Sequence, residues 1–332
     1  MNPPEVLTPE RIDERVSAAV DALRSRPQIS NVFLTACGGS FALMMPLQHV
    51  LQSSTVLEAH ALNAREFTTR APKSLGPNSL VVLCSHSGDT PETVEAARFA
   101  REQGALTIAL THELESPLAL ASEFVIGYQH GDAKRYAYTS APILYRIIHA
   151  LVDRATSSST LAPATDAVAA LDGIVEGLLA AHYDRADAWA KAHARSGLIY
   201  TLGSGPNYGS AYSFAICLLQ EMLWVHSQGI NSAEYFHGPF EITDFDVPFI
   251  DLLGLGVSRP IDERTHAFLV TKSDDVLTLD AAEWDLALVP EALRPSFAHL
   301  VFTPLLRLYA ERLADHRGHP LSVRRYMWRM EY

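Results

Sequence analysis

Leu80-Val81-Val82-Leu83-Cys84-Ser85-His86-Ser87-Gly88-Asp89-Thr90-Pro91 is the stretch from which the fold is read. Its first four residues form an apolar, β-branched run, the pattern of a strand buried on both faces. Beyond the turn, residues 92–103 carry Val94, Ala97, Arg98 and Ala100 at helical spacing and stop at Gly104. Thr90 and Asp89 are good N-cap residues, and Pro91 suits the first helical position. The stretch therefore predicts strand, hydroxyl-rich turn, helix. Such a turn presents backbone N–H groups at the positive end of a helix dipole, with the hydroxyls of Ser85, Ser87 and Thr90 beside them. That combination suits a phosphate dianion. An ordinary βα turn with capping residues is the plainer alternative, because Ser and Thr are common there.

Working outward, the first half repeats the same unit. Residues 8–26 predict an amphipathic helix, with Ile12, Val16, Ala19, Val20 and Leu23 near helical spacing. Residues 31–36 predict a strand running into Cys37-Gly38-Gly39-Ser40, then a helix over 41–51. Gly38 and Gly39 let backbone approach a ligand closely, and Ser40 can cap the helix or offer its hydroxyl. A strand over 55–59, a short helix over 63–70, strands over 105–110 and 124–126, and a helix over 139–152 complete the series. Strands alternating with helices predict a doubly wound α/β domain with a parallel sheet. Ligands of such sheets sit beyond the carboxyl ends of the strands, so the turns at 37–40 and 85–90 are expected to face one pocket.

Residues 155–165, with Ser157, Ser158, Ser159 and Thr160 ahead of Pro163, read as a linker. Helical residues follow over 166–194, then a strand over 197–202 and Gly203-Ser204-Gly205-Pro206-Asn207-Tyr208-Gly209. Val32 to Ser40 and Leu198 to Gly205 are alike: each is a strand that runs into Gly-rich backbone ahead of a helix. This predicts a duplicated domain offset by about 166 residues, with domains over 1–155 and 166–332. The second copy has a strand over 248–253 but no second Ser-x-Ser-Gly, so one phosphate site per chain is expected, in the first copy. The spacing Gly203-x-Gly205-x-x-x-Gly209 departs from a dinucleotide fingerprint and lacks a well-placed acidic partner.

The totals narrow the function. The 332 residues are 48% apolar and 19% charged, enough for sizeable cores. Twenty-six Lys and Arg against 38 Asp and Glu give a net charge of −12, which argues against nucleic acid and anionic membranes as partners. An anionic substrate must then be held by local groups. Three cysteines, Cys37, Cys84 and Cys217, all in apolar contexts, argue against a disulfide framework or a zinc site. Cys84 borders the phosphate turn, where a small buried residue is the plainer reading and a reactive thiol the sharper one. Met1-Asn2-Pro3-Pro4-Glu5 shows no secretory pattern, and no run of 18 apolar residues exists. The expectation is a cytoplasmic protein.

Two later features carry chemistry. The predicted helix over 207–224 is almost wholly apolar in its second half, yet contains Glu221, seven residues after Phe214 and three after Leu218. The plainer reading is a charge that reaches the surface or a buried pair. The functional reading is a carboxylate desolvated beside a pocket, its pKa raised, able to take and return a proton. Sixteen residues on, Glu234-Tyr235-Phe236-His237-Gly238-Pro239-Phe240-Glu241 places His237 before a Gly-Pro that stops a helix. In the tail, Arg324, Arg325 and Arg329 lie among Tyr326, Trp328 and Tyr332. This segment reads either as a docked aromatic element or as a lid that brings a cation to the substrate.

Ser85-His86-Ser87-Gly88-Asp89-Thr90 resembles the S-x-S-G-[DE]-T signature of sugar isomerase (SIS) domains, which hold a phosphosugar's phosphate with these hydroxyls and amides. His-Gly-Pro preceded by a helical Glu is similar to the isomerase domain of glucosamine-6-phosphate synthase. The stretches around Glu221 and His237, and the tail Gly318-His319-Pro320-Leu321-Ser322-Val323-Arg324-Arg325-Tyr326-Met327, most closely resemble the fructoselysine-6-phosphate deglycases. The resemblance implies two tandem SIS domains, each a flavodoxin-like parallel sheet flanked by helices. It implies phosphate or sugar contacts at Gly38, Gly39, Ser40, Ser85, His86, Ser87 and Thr90. It also implies proton transfer between C1 and C2 by Glu221, ring opening assisted by His237 of a partner subunit, and tail contacts from Arg325 and Tyr326. A homodimer or larger oligomer with a shared active site, acting on a phosphosugar-amine without metal or organic cofactor, follows. Glucosamine-6-phosphate synthase also carries a glutaminase domain; none is expected here, since these 332 residues resemble only its isomerase part, and this favours deglycation of a fructosamine 6-phosphate. An aldose–ketose isomerase, a glucosamine-6-phosphate deaminase and a non-catalytic phosphosugar sensor are the rivals.

Overall fold

The computed structural model describes residues 7–331. Met1-Asn2-Pro3-Pro4-Glu5 and Tyr332, both invoked above, lie outside the described residues. The chain divides into two compact units, Met1–Asp172 and Gly173–Tyr332.

In the first unit five parallel strands, β1 (Asn31–Ala36), β2 (Glu58–Asn63), β3 (Ser79–Cys84), β4 (Leu106–Leu110) and β5 (Phe124–Ile126), stand in the order β2-β1-β3-β4-β5. This is the flavodoxin-like order of a doubly wound sheet. Strands β1, β3 and β4 are buried along their whole length because helices cover both faces. Side-chain alternation then sorts each strand into two cores. Val32, Leu34, Leu80, Val82, Ile108 and Leu110 pack with Ile12, Val16, Leu47, Ile143 and Ile147 of the helices Pro9–Ser25, Met44–Ser54 and Ser140–Thr156. On the opposite face Phe33, Val81, Leu83 and Ala109 pack with Phe67, Val94, Ala97 and Leu118 of Ala64–Arg70, Pro91–Glu102 and Pro117–Ala121.

Two local expectations shift. The strand expected over 55–59 stands at Glu58–Asn63, because Thr55 closes the preceding helix. Its N–H and its Oγ1 both donate to the Leu51 carbonyl, at 2.9 and 2.7 Å. The linker expected over 155–165 shrinks to four residues, since Ser140–Thr156 ends at Ser157 with φ +57° and a new helix starts at Leu161. Asp153 closes this turn by accepting from the Thr160 Oγ1 at 2.7 Å and the Leu161 N–H at 2.9 Å.

The second unit holds a four-stranded parallel sheet, β6 (Leu198–Gly203), β7 (His226–Asn231), β8 (Phe249–Leu253) and β9 (Val276–Asp280), in the order β7-β6-β8-β9. Strands β7 and β9 escaped the sequence pattern. Each is an edge strand with alternating or partial burial, and β7 reads His-Ser-Gln-Gly-Ile-Asn, with few apolar residues to betray it. Gly229 sits there because a Cβ would lie 2.8 Å from the Tyr212 backbone.

β8 carries Asp251, fully buried, which accepts a hydrogen bond from His266 Nδ1 at 3.0 Å on the helix Arg259–Leu269. Burial pushes the Asp251 carboxyl from 3.8 up to about 6, and its hydrogen bond with Asp251 raises the His266 imidazole. Both groups hold protons more tightly folded than unfolded. Their contributions are therefore fully present below the unfolded values and lost as pH rises through the folded ones. Asp251→Asn is expected to flatten the fall in stability between about pH 4 and 7, by on the order of 2–3 kcal/mol. Urea unfolding at both pH values measures it, and an unchanged pH slope in the variant would reject the assignment.

Candidate active site

The order β2-β1-β3 reverses the winding direction between β1 and β3, and crevices for ligands open beyond such a reversal. Ala36 and Cys84, the last residues of these strands, are register partners. The turns that follow, Cys37–Ser40 and Ser85–Thr90, therefore emerge side by side. Gly38 starts its helix at φ +55°, and Ser40 is hydrogen bonded to the Cys84 thiol. That thiol is buried, and burial pushes it up to about 11, which removes the reactive reading of Cys84.

The Ser85–Thr90 turn is built from its own side chains. Ser85 Oγ and Thr90 Oγ1 lie 2.9 Å apart, the Gly88 N–H donates to Ser85 Oγ at 3.2 Å, and the Ser87 hydroxyl donates to Asp89. Thr90 occupies the N-cap position of Pro91–Glu102, yet its side chain makes no capping bond. Its hydroxyl is turned to Ser85 instead, which corrects the capping role read from the sequence. Gly88 adopts φ +69°, and a Cβ there would lie 2.0 Å from Ser116 Oγ and 2.7 Å from Thr111 Oγ1. The turn accepts only glycine at this point.

His86 leads into a cluster that sequence reasoning missed. Its Nδ1 is hydrogen bonded to the Tyr128 hydroxyl at 2.9 Å, and its ring lies 5.3 Å from His112 and 4.3 Å from His130. Burial, then the neighbouring His130 and His112, lower its pKa. The available signal was positional: His112, Tyr128 and His130 follow β4 and β5, at the same carboxyl edge of the sheet as the turn.

In the second unit the helix expected over 207–224 divides. Tyr208–Ser213 is α-helical and Phe214–Met222 is a π-helix. The Leu223 N–H bonds the Leu218 carbonyl, five residues back, and Trp224 leaves the helix at φ +55°. The π register dissolves the stripe on which Glu221 was placed, because i→i+5 bonding widens each turn. Glu221 emerges one quarter exposed, at the wall of a cavity of about 740 Å³. Arg324 is buried against it, with Nη2 and Nε at 2.8 and 2.9 Å from Glu221 Oε1. Glu221 is thus a carboxylate in a charge-assisted pair, the partner that the plainer reading allowed, and it stands at a cavity wall as in the functional one. Arg325 and Tyr326 line the same cavity, with Trp224 and His226.

The structure therefore brings Glu221, Arg325 and Tyr326 together, and separately gathers the 37–40 and 85–90 turns in the first unit. His237 is not among the residues lining the Glu221 cavity. It lies exposed in the 3₁₀ turn Tyr235–His237, ahead of Gly238 at φ +143°. Among the described residues no group of His, Cys, Asp and Glu suits a metal ion, and no helix is long and apolar enough to cross a membrane.

A family profile described as the SIS domain matches residues 28–148. The chain is 44% identical over 323 residues, 97% of its length and 98% of the relative's, to the fructosamine deglycase FrlB of Bacillus subtilis. It is 28% identical over 312 residues, 94% of the chain and 89% of the relative, to the fructoselysine 6-phosphate deglycase of Escherichia coli K12. A Bacillus subtilis crystal structure provisionally described as a phosphosugar isomerase superposes with a TM-score of 0.94 at 42% identity, covering 98% of this chain and all of the other.

Proposed function

The chain belongs to the SIS-domain family, among the fructosamine deglycases, and from that membership we propose that it hydrolyses a fructosamine 6-phosphate to glucose 6-phosphate and a free amine. The observation that carries the mechanism is Glu221, a carboxylate on the wall of a cavity large enough for a sugar phosphate and more.

The turn Ser85–Thr90 takes the phosphate, with Ser85, Ser87 and Thr90 as hydroxyl donors and Gly38, Gly39, Ser40 and His86 beside it. The hydroxyls that bond each other in the turn re-aim at phosphate oxygens. Glu221 removes a proton from C1 of the ketosamine and delivers it to C2, while O2 gains and the nitrogen loses a proton. The product is an imine at C1. Water adds to that imine and the amine leaves, so atoms balance without an oxidant or reductant. Arg324 holds the Glu221 carboxylate in place. His237 assists opening of the sugar ring, and its exposure away from its own chain's Glu221 cavity supports delivery to a partner subunit. We accordingly read the protein as a cytoplasmic homodimer or larger assembly with shared sites.

We also read the second unit as a second SIS domain. Its strand order β7-β6-β8-β9 repeats β2-β1-β3-β4. We read one phosphate site per chain, in the first unit, because no Ser-x-Ser-Gly turn follows β8. The N–H of Gly254, just past β8, donates to the buried Asp262 carboxylate at 3.1 Å.

The test is glucose 6-phosphate release from 6-phosphofructosyl amino acids, assayed beside glucosamine 6-phosphate and fructose 6-phosphate with ammonia. Release from the fructosyl amines is expected. Turnover of glucosamine 6-phosphate alone would make the protein a deaminase, and saturable binding without turnover would make it a sensor.

A further inference from the structure

We propose that Arg325 selects the amine half of the substrate by pairing with a carboxylate on it, so that the preferred leaving group is an amine bearing an α-carboxylate. The proposal rests on the deglycation reading above.

The cavity that holds Glu221 carries two guanidinium groups against that one carboxylate. They differ in how they are used. Arg324 is 6% exposed, spends Nε and Nη2 on Glu221, and gives Nη1 to the carbonyls of Leu321 and Val323, at 2.6 and 2.9 Å. Its donors are committed to the protein. Arg325 is exposed, and its guanidinium lies 4.1 Å from the centre of the Trp224 ring. No carboxylate of the described residues pairs with it. Stacking on an indole holds the plane of a guanidinium and leaves its N–H edge free for a carboxylate fork.

The platform under Arg325 is built at a cost. Trp224 holds φ +55°, a conformation that a bulky residue rarely adopts, and His319 packs edge-on against the indole at 4.4 Å. The strained backbone and the tail together place the ring under Arg325. The result is one unmatched positive charge in a reaction cavity of a chain whose net charge is −12.

The chemistry says which end of the substrate meets it. Glu221 works at C1 and C2, and the amine nitrogen is bonded to C1. An α-carboxylate is therefore three bonds from C1, whereas the phosphate is on C6, at the far end of the sugar. A cation beside a departing amine is unfavourable unless that amine carries a compensating negative charge. An α-carboxylate supplies it with the geometry that arginine reads as a bidentate pair.

The experiment compares 6-phosphofructosyl-glycine with 6-phosphofructosyl-glycinamide, which are nearly the same in shape and differ in the charge of this group, on the wild-type protein and on Arg325→Gln. The wild type is expected to prefer the glycine compound by about 10- to 100-fold in kcat/KM. Arg325→Gln is expected to abolish the preference, chiefly by raising KM for the glycine compound far more than for the glycinamide compound. Equal use of both compounds by the wild type overturns the proposal, and this arm needs no variant to fold. An equal loss for both compounds in the variant also overturns it, since it would place Arg325 at the phosphate or in the scaffold. Turnover of glucosamine 6-phosphate with none of either fructosyl compound would instead sink the deglycation reading, and the proposal with it.

Discussion

Glu221→Gln is expected to lower kcat by a factor of about 10² to 10⁴ while leaving phosphosugar binding near normal. The substitution keeps the shape of the side chain and removes the group that carries the proton. Gln is chosen over Ala because Arg324 is buried against this position, and its guanidinium needs an acceptor. The amide oxygen of the glutamine side chain supplies one, so unfolding is not expected to mask the result. His237→Ala is expected to fail as well, by a different route. If His237 serves a partner subunit, mixing the two inactive variants rebuilds one intact site in each mixed dimer. Activity should then return to about one quarter of the wild-type level after subunit exchange. A Glu221→Gln protein with near-normal kcat would remove this residue from the mechanism, and no recovery on mixing would return His237 to its own chain.

Gly88→Ala carries the second large effect. Alanine at φ +69° costs about 1–2 kcal/mol by itself. Its Cβ would also enter the space of Ser116, at 2.0 Å from Oγ and 2.5 Å from Cβ. Ser116 cannot simply swing away, because its Oγ caps the helix Pro117–Ala121 and its own Cβ is in the way. The strain is relieved by opening the turn. That breaks the Gly88 N–H bond to Ser85 Oγ and the Leu118 N–H bond to the Gly88 carbonyl, 2.8 Å. Ser85, Ser87 and Thr90 then no longer converge. The expected result is a rise of at least about 100-fold in the Kd for a sugar phosphate, read by calorimetry, in a protein whose sheets remain folded by circular dichroism. Normal phosphosugar affinity in this variant would show that the phosphate is held elsewhere.

The first unit and its turn were legible because the information is local. A buried parallel strand announces itself as Leu80-Val81-Val82-Leu83, and a βα turn that presents hydroxyls must place them within a few residues of one another. The pairing of the two glycine- and serine-rich turns also followed from the sequence, since both come after strands and the doubly wound rule sends such turns to one edge. The polar edge strand β7 was not legible, because a strand of His, Ser, Gln and Asn pairs by backbone, and backbone pairing leaves no mark on side-chain pattern.

By itself, then, the sequence determined the α/β class and the strand, hydroxyl-rich turn and helix around residues 85–90, and it singled out Glu221 and, through its family resemblance, His237 as the residues to test. Tertiary structure alone decided the surroundings of Glu221. Whether that carboxylate faces a cavity depends on a π-helix, whose register is set by packing rather than by helical propensity. Its partner Arg324 lies 103 residues away in the chain. A pairing over that separation has no periodicity to read, because it exists only once the tail has folded back beside the helix.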